Sequence, residues 1–323
     1  MEINKIIKKI GQNNNRKNNI DYHTAITLYS AILNGNISDL ELGAILIAFR
    51  IKGENEEEIQ GFYEAMQHKI IQLYPPLNRP MPIIIPSYNG ARRQANLTLL
   101  LALLLIKLDF PVLVHAINND PTRITTKEIL LALDMKPVME KQEIQEYLNK
   151  GKLVFITIDN LCAPIAKQLS LRWRMGVRNS AHILAKLINP FTNHAALCIT
   201  SISHPKYFTR ISNFFFKINS PAILLNGTEG EVYADPYNCP VINILLSKNI
   251  KLEFMIKHHE EKKIINLPKS KGAIDTANWI NEVLYNKHTV PESIRLQLAC
   301  CLIATGRSQN LEEAEMILRK AKI

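Results

Sequence analysis

Between Lys150 and Lys217 the chain places ten lysines and arginines and a single acid, Asp159. The rest of the 323 residues carry 29 bases against 28 acids, so nearly all of the net charge of +10 lies in about a fifth of the length. A solvated helical face usually mixes charge signs. A stretch this poor in carboxylates instead suits a polyanion, whose phosphates relieve the repulsion between neighbouring cations. Within "APIAKQLSLRWRMGVRNSAHILAKLI", an unbroken helix would turn Arg174 by about 700° and Arg178 by about 1100° from Lys167, bringing all three within about 20° of one line. Gly176 is the residue in that run able to break the helix. Arg172 lies beside the stripe, and Trp173 is expected as a core anchor, with base stacking the alternative. In "HPKYFTRISNFFFK", Lys206, Arg210 and Lys217 again share a helical face, and Phe214, Phe215 and Phe216 are expected in the core.

A second stretch that could hold an anion is "PSYNGARRQANLTLLLALLL", residues 86–105. It reads as a strand, a tight turn and a helix, the junction at which glycine-rich loops commonly cradle a phosphate. This turn has one glycine, Gly90, beside the bulky Tyr88 and the adjacent Arg92 and Arg93. The two arginines are expected to open the Leu-rich helix, at the mouth of a pocket suited to an anion that extends past it. Catalytic groupings are weak: there is no Ser-His-Asp set, phosphate-binding P-loop or dinucleotide fingerprint, and His115 at a strand end is the one candidate base. His258-His259-Glu260-Glu261 reads as a solvated loop rather than a metal site, and His115 as a satisfied core histidine. No catalytic residue, metal or cofactor is expected.

The elements that must carry these residues follow from periodicity and turn chemistry. Up to about residue 72 the pattern is helical: 22–34, then a helix opened by Ser38 and Glu41 at capping-box spacing, then "NEEEIQGFYEAMQHKI". The four prolines of "YPPLNRPMP" mark a boundary. Beyond it, apolar strands alternate with helices: "PIIIP", "PVLVHA" and "KLVFITID", with later strands at "ALCITSI" and "PAILLNG". That alternation predicts a mainly parallel sheet with crossover helices, closed by helices near 272–285, 292–305 and 310–321. Five cysteines without ligand or disulfide spacing suit a reducing, cytoplasmic compartment. The longest apolar run, near 97–106, is shorter than the roughly 18 residues a membrane helix needs, so no membrane association is expected.

On these residues the chain resembles the anthranilate phosphoribosyltransferase superfamily over nearly its whole length. The likeness lies in the helical opening through "NGNISDLELGAILIAFRIKGENEEEIQGFYEAM" and in "RWRMGVRNSAHILAKLINPF". It implies a small helical domain, residues 1–76 with about 163–190 returning to it, that forms the interface of a homodimer. It implies also an α/β domain of 77–162 and 191–323, in the nucleoside phosphorylase / phosphoribosyltransferase-like arrangement. Where the enzymes have a G-T-G-G-D loop for a diphosphate, this chain has Pro86-Ser87-Tyr88-Asn89-Gly90. Where they have an Asp-Glu pair for magnesium, "NGTEGEVYAD" offers Val232 and Tyr233. Asn96 and Thr98 match phosphate-contacting positions, so Ser87, Asn89, Asn96 and Thr98 are expected as a residual anion pocket. Arg172 matches the arginine that grips the aromatic acid.

"PSYNGAR", "DPTR", "RWRMGVRNSAH", "NGTEGEVYA" and "CCLIATG" resemble more specifically a non-enzymatic YbiB-like DNA-binding branch of that superfamily. The resemblance implies binding of DNA and RNA without marked sequence preference on a catalytically inactive scaffold. The expected contacts run along a basic groove: Lys167, Arg172, Arg174, Arg178, Lys206, Arg210 and Lys217, with Arg92 and Arg93 at the pocket mouth. Two alternatives stand beside it: a phosphoribosyltransferase with an unidentified aromatic acceptor, and an interaction protein whose basic face docks an acidic protein.

Overall fold

Alternating buried side chains set the frame of the larger compact unit, residues 72–157 and 191–323. The computed structural model describes residues 2–12, 18–202, 204–246, 250–256 and 266–323. Strands β1 (Ile83–Ser87), β2 (Val112–Ala116), β3 (Leu153–Thr157), β4 (Leu197–Ser201), β5 (Ala222–Leu225), β6 (Ile242–Leu246) and β7 (Ile250–Phe254) form one sheet in the order β3-β2-β1-β4-β5-β6-β7. The first five strands in that order are parallel, and β6 and β7 pair antiparallel. Ile83 and Ile85, Val112 and Val114, Leu197 and Ile199, and Ile223 and Leu225 enter one core cluster at the period of two that a pleated strand imposes. Their alternates, Ile84, Leu113, Cys198 and Leu224, are buried as well. Burial on both faces explains why these strands read as continuous apolar runs.

Helices Thr98–Lys107, Thr126–Ala132, Ala273–Leu284, Glu292–Ala304 and Leu311–Lys320 supply the cluster that covers one face. The expected strands and closing helices are all present. Strands β6 and β7 were not expected from the sequence, and β7 shows why: it is largely exposed, with Ile250 and Leu252 open to solvent, and lacks the apolar run of its neighbours. Strand order reverses beside β1, where β2 and β3 lie on one side and β4 and β5 on the other. The carboxyl ends of strands flanking such a reversal are where open α/β sheets place ligands.

The helical unit comprises residues 1–71 and 158–190. Helices Tyr22–Leu33, Asp39–Lys52 and Glu56–Gln67 begin on side-chain caps, and the Ser38–Glu41 capping box forms as its spacing predicts. Tyr29 stacks on Phe62 at 4.6 Å, and the buried Glu58 accepts from Lys52 Nζ at 2.6 Å. The segment 158–190 adds helices Ile158–Leu161, Ala163–Ser170, Arg172–Met175 and Ala181–Leu184, and Ser180 hydroxyl donates to Glu54. Among the described residues, no helix is long and apolar enough to cross a membrane.

Candidate nucleic-acid interface

The stripe expected through Lys167, Arg174 and Arg178 does not lie on one helix. Helix Ala163–Ser170 gives way to the single turn Arg172–Met175, and Gly176 closes that turn in the left-handed conformation at φ 74°. Arg178 therefore leaves the helical register, as a glycine at that position permits. What replaces the stripe is a cluster. His182 is pushed down to about 3, first by burial and then by the positive charges of Arg178, Arg172 and, to a lesser degree, Lys186. Lys167 is exposed, and Arg172, Arg178 and Lys186 are half-buried. Arg174 reaches Asp39 at 3.7 Å, with both side chains largely in water, where such a pair contributes at most about 1 kcal/mol.

Trp173 is not a core anchor. It is 51% exposed, and the Arg172 guanidinium lies 4.1 Å from its ring centroid. The short turn that carries it buries no side chain, so nothing draws the indole inward.

In the larger unit the second basic segment keeps its register. Helix Pro205–Lys217 is continuous, so Lys206 and Arg210 sit one turn apart with Lys217 two turns further along the same face. Lys206 and Lys217 are exposed, and Arg210 lies 5.4 Å from the Tyr207 ring. Phe214 and Phe215 are buried and Phe216 half-buried, as expected.

The loop after β1 departs further from expectation. Arg92 and Arg93 do not open the Leu-rich helix, which starts at Thr98; they lie in the loop before it with exposed side chains. The backbone N–H groups of Arg92, Arg93 and Gln94 donate to the Glu229 carboxylate at 3.1, 2.8 and 3.0 Å. Those of Asn89 and Gly90 donate to Glu231 at 2.7 and 2.6 Å, and Thr98 hydroxyl donates to the same carboxylate at 3.2 Å. The residual anion pocket of Ser87, Asn89, Asn96 and Thr98 is thus filled from within. All four residues are buried; Ser87 Oγ lies 2.6 Å from Thr126 Oγ1, and Asn96 Nδ2 donates to that hydroxyl at 2.8 Å. Neither glutamate was singled out in the sequence. The available signal was a turn rich in N–H donors and poor in glycine, which had to find acceptors elsewhere.

Tyr88 is buried, with its hydroxyl 2.6 Å from His115 Nδ1, and burial pushes His115 down to about 3. Val232 and Tyr233 are buried too, and Tyr233 hydroxyl donates to the Ala95 carbonyl at 2.8 Å. Magnesium and phosphoribosyl pyrophosphate, which the superfamily implies, do not fit these residues: the loop donors already hold carboxylates, and the expected metal positions are apolar or phenolic. A cavity of about 210 Å³ is lined by Arg93 of this loop together with Tyr237, Lys269 and Lys271. His258-His259-Glu260-Glu261 lies outside the described residues.

The comparisons with known proteins agree with this architecture. Residues 4–70 match the family model described as "Glycosyl transferase family, helical bundle domain". The chain is 48% identical over 313 residues to the uncharacterized protein YbiB of Escherichia coli (strain K12), covering 97% of each chain. It is 24% identical over 322 residues to the anthranilate phosphoribosyltransferase of Saccharolobus solfataricus, covering 97% of this chain and 89% of that one. Among solved structures, the anthranilate phosphoribosyltransferase of Thermus thermophilus superposes with a TM-score of 0.79 at 17% identity, over 99% of this chain and 93% of that one. The Saccharomyces cerevisiae enzyme in complex with PRPP and Mg superposes at 0.75 and 14% identity, over 99% and 94%. Similarity over almost the full length to YbiB shows that the chain belongs to the YbiB family, and it has the fold of the anthranilate phosphoribosyltransferases.

Proposed function

We propose that this protein binds DNA or RNA as a cytoplasmic homodimer, through phosphate contacts and without marked sequence preference, and does not transfer phosphoribosyl groups. Lys167, Arg172, Arg174 and Arg178 of the helical unit contact phosphates, as do Lys206, Arg210 and Lys217 of the larger unit. Arg92 and Arg93 add cations at the loop beside the cavity that Lys269 and Lys271 also line. The observation that carries this reading is the charge imbalance of 150–217, ten bases to one acid, on elements that leave Lys167, Arg174, Lys206 and Lys217 exposed. Contacts to phosphate position a protein on nucleic acid but carry no sequence information, which is why no marked sequence preference is proposed.

Support for the dimer comes from helix Asp39–Lys52. Leu40, Ala44, Ile47 and Ile51 fall within about 60° of arc on that helix and are exposed, Leu40 by 86% and Ile51 by 81%. An apolar stripe of this kind is the usual mark of a surface that meets another protein.

The deciding experiment titrates a random-sequence oligonucleotide at several salt concentrations. If about six phosphates are neutralised, log K falls with log salt at a slope near −5. A flat salt response overturns the reading. Affinity confined to one sequence removes the nonspecific form of it. Absence of oligonucleotide binding, with retention of an acidic protein, favours the docking alternative. Product formation from phosphoribosyl pyrophosphate and an aromatic acceptor restores the transferase.

A further inference from the structure

Five backbone N–H groups and one hydroxyl, all from residues 89–98, converge on two carboxylates that stand two positions apart in the chain. N–H groups turned to one side, here those of residues 89, 90 and 92–94, form a concave anion site, since each carries partial positive charge. The acceptors come from a turn that is shaped to approach closely. A Cβ on Gly230 would stand 2.2 Å from Asn89 Nδ2, and one on Gly227 would stand 1.8 Å from the Glu231 carbonyl oxygen. Only glycine permits either approach. Between them Glu229 takes the left-handed conformation at φ 53°, one that a side chain disfavours and that its three N–H contacts offset.

We propose that the loop Asn89–Gln94 is an oxyanion site whose resident ligand is the chain's own Glu229–Glu231 turn. The carboxylates take the place of a diphosphate, hold the loop in an anion-bound shape without any ligand, and exclude free phosphate compounds. Tethering gives them a high effective concentration at the donors, so a dissolved anion competes at a disadvantage. The loop is therefore ordered from within the chain. Its order does not depend on the proposed nucleic-acid contacts, so the two proposals stand or fall separately.

Amide hydrogen exchange of Asn89, Gly90, Arg92, Arg93 and Gln94, the residues whose N–H groups meet the two carboxylates, tests this on the whole chain, with inorganic pyrophosphate as the probe. In the wild type these amides are expected to be protected, and pyrophosphate to leave their exchange unchanged. In the double variant Glu229→Ala, Glu231→Ala they lose protection, and pyrophosphate at about ten times its Kd slows their exchange roughly tenfold. Should the double variant not fold, Glu229→Ala alone frees the N–H groups of Arg92, Arg93 and Gln94, and the same recovery is expected there. Reading exchange at these particular amides separates the site from general attraction of an anion to a basic surface. Fast exchange in the wild type, pyrophosphate protection of the wild type, or freed amides that pyrophosphate does not re-protect would each overturn the proposal.

Discussion

Glu231 accepts the backbone N–H of Gly90 at 2.6 Å across 141 positions of the sequence. The same buried carboxylate takes the Asn89 N–H and the Thr98 hydroxyl, so its removal strands three donors away from water. Glu231→Ala is expected to lower stability by about 3 kcal/mol, because a buried donor left without a partner loses its full desolvation cost. Glu231→Gln keeps one acceptor oxygen and is expected to lose less. Urea denaturation of the two variants beside the wild type measures the difference; an unchanged midpoint for Glu231→Ala would show that these contacts do not stabilise the fold.

Trp173 and Trp279 are the two tryptophans, one half in solvent and the other 4% exposed. Acrylamide should therefore quench Trp173 selectively. An oligonucleotide that contacts the surrounding arginines is expected to shield it, and Trp173→Phe to abolish that protection. If bound oligonucleotide leaves quenching unchanged, the nucleic acid does not run past Trp173, and Arg172 and Arg174 leave the set of contacts.

Ile51 is 81% exposed on helix Asp39–Lys52, with Ile47 one turn before it. Ile47→Glu with Ile51→Glu places two charges on the proposed dimer face and is expected to yield a folded monomer. Sedimentation at several concentrations reads the result, and circular dichroism verifies the fold. A double variant that sediments as a dimer moves the interface to another face.

His115 and His182 are both held near 3, against an ordinary value of 6.5, with burial the leading cause in each. Nδ1 of His115 meets Tyr88, and its Nε2 has no hydrogen-bonding partner among the described residues. The unfolded chain takes up protons at these histidines as pH falls through about 6.5, whereas the folded chain does not until near 3. Their neutral forms therefore favour folding above about 6.5, and stability declines between about 6.5 and 3, by at most about 1.4 kcal/mol per pH unit for each histidine. His115→Gln should remove about half of that slope in urea titrations across this window. An identical pH profile for the variant would place the acid sensitivity elsewhere.

The residues themselves determined most of the architecture. Apolar segments around 83–87, 112–116 and 153–157, alternating with helical stretches, read as strands of a mainly parallel sheet, and Ser38 with Glu41 announced a helix start, because these signals arise between residues a few positions apart. The uneven charge of 150–217 was equally a property of the chain alone. Tertiary structure decided what depends on distant partners or on a single backbone conformation. Gly176 could have continued the helix; its left-handed φ takes Arg178 out of the helical register, and Trp173 lies in a turn that buries no side chain. Edge strand β7 exists because β6 offers it a ladder, not because its own residues favour burial. The loop after β1 shows the same division. Its want of glycines was plain in the sequence, but the acceptors for its N–H groups lie more than 130 residues away, and only folding brings Glu229 and Glu231 to them.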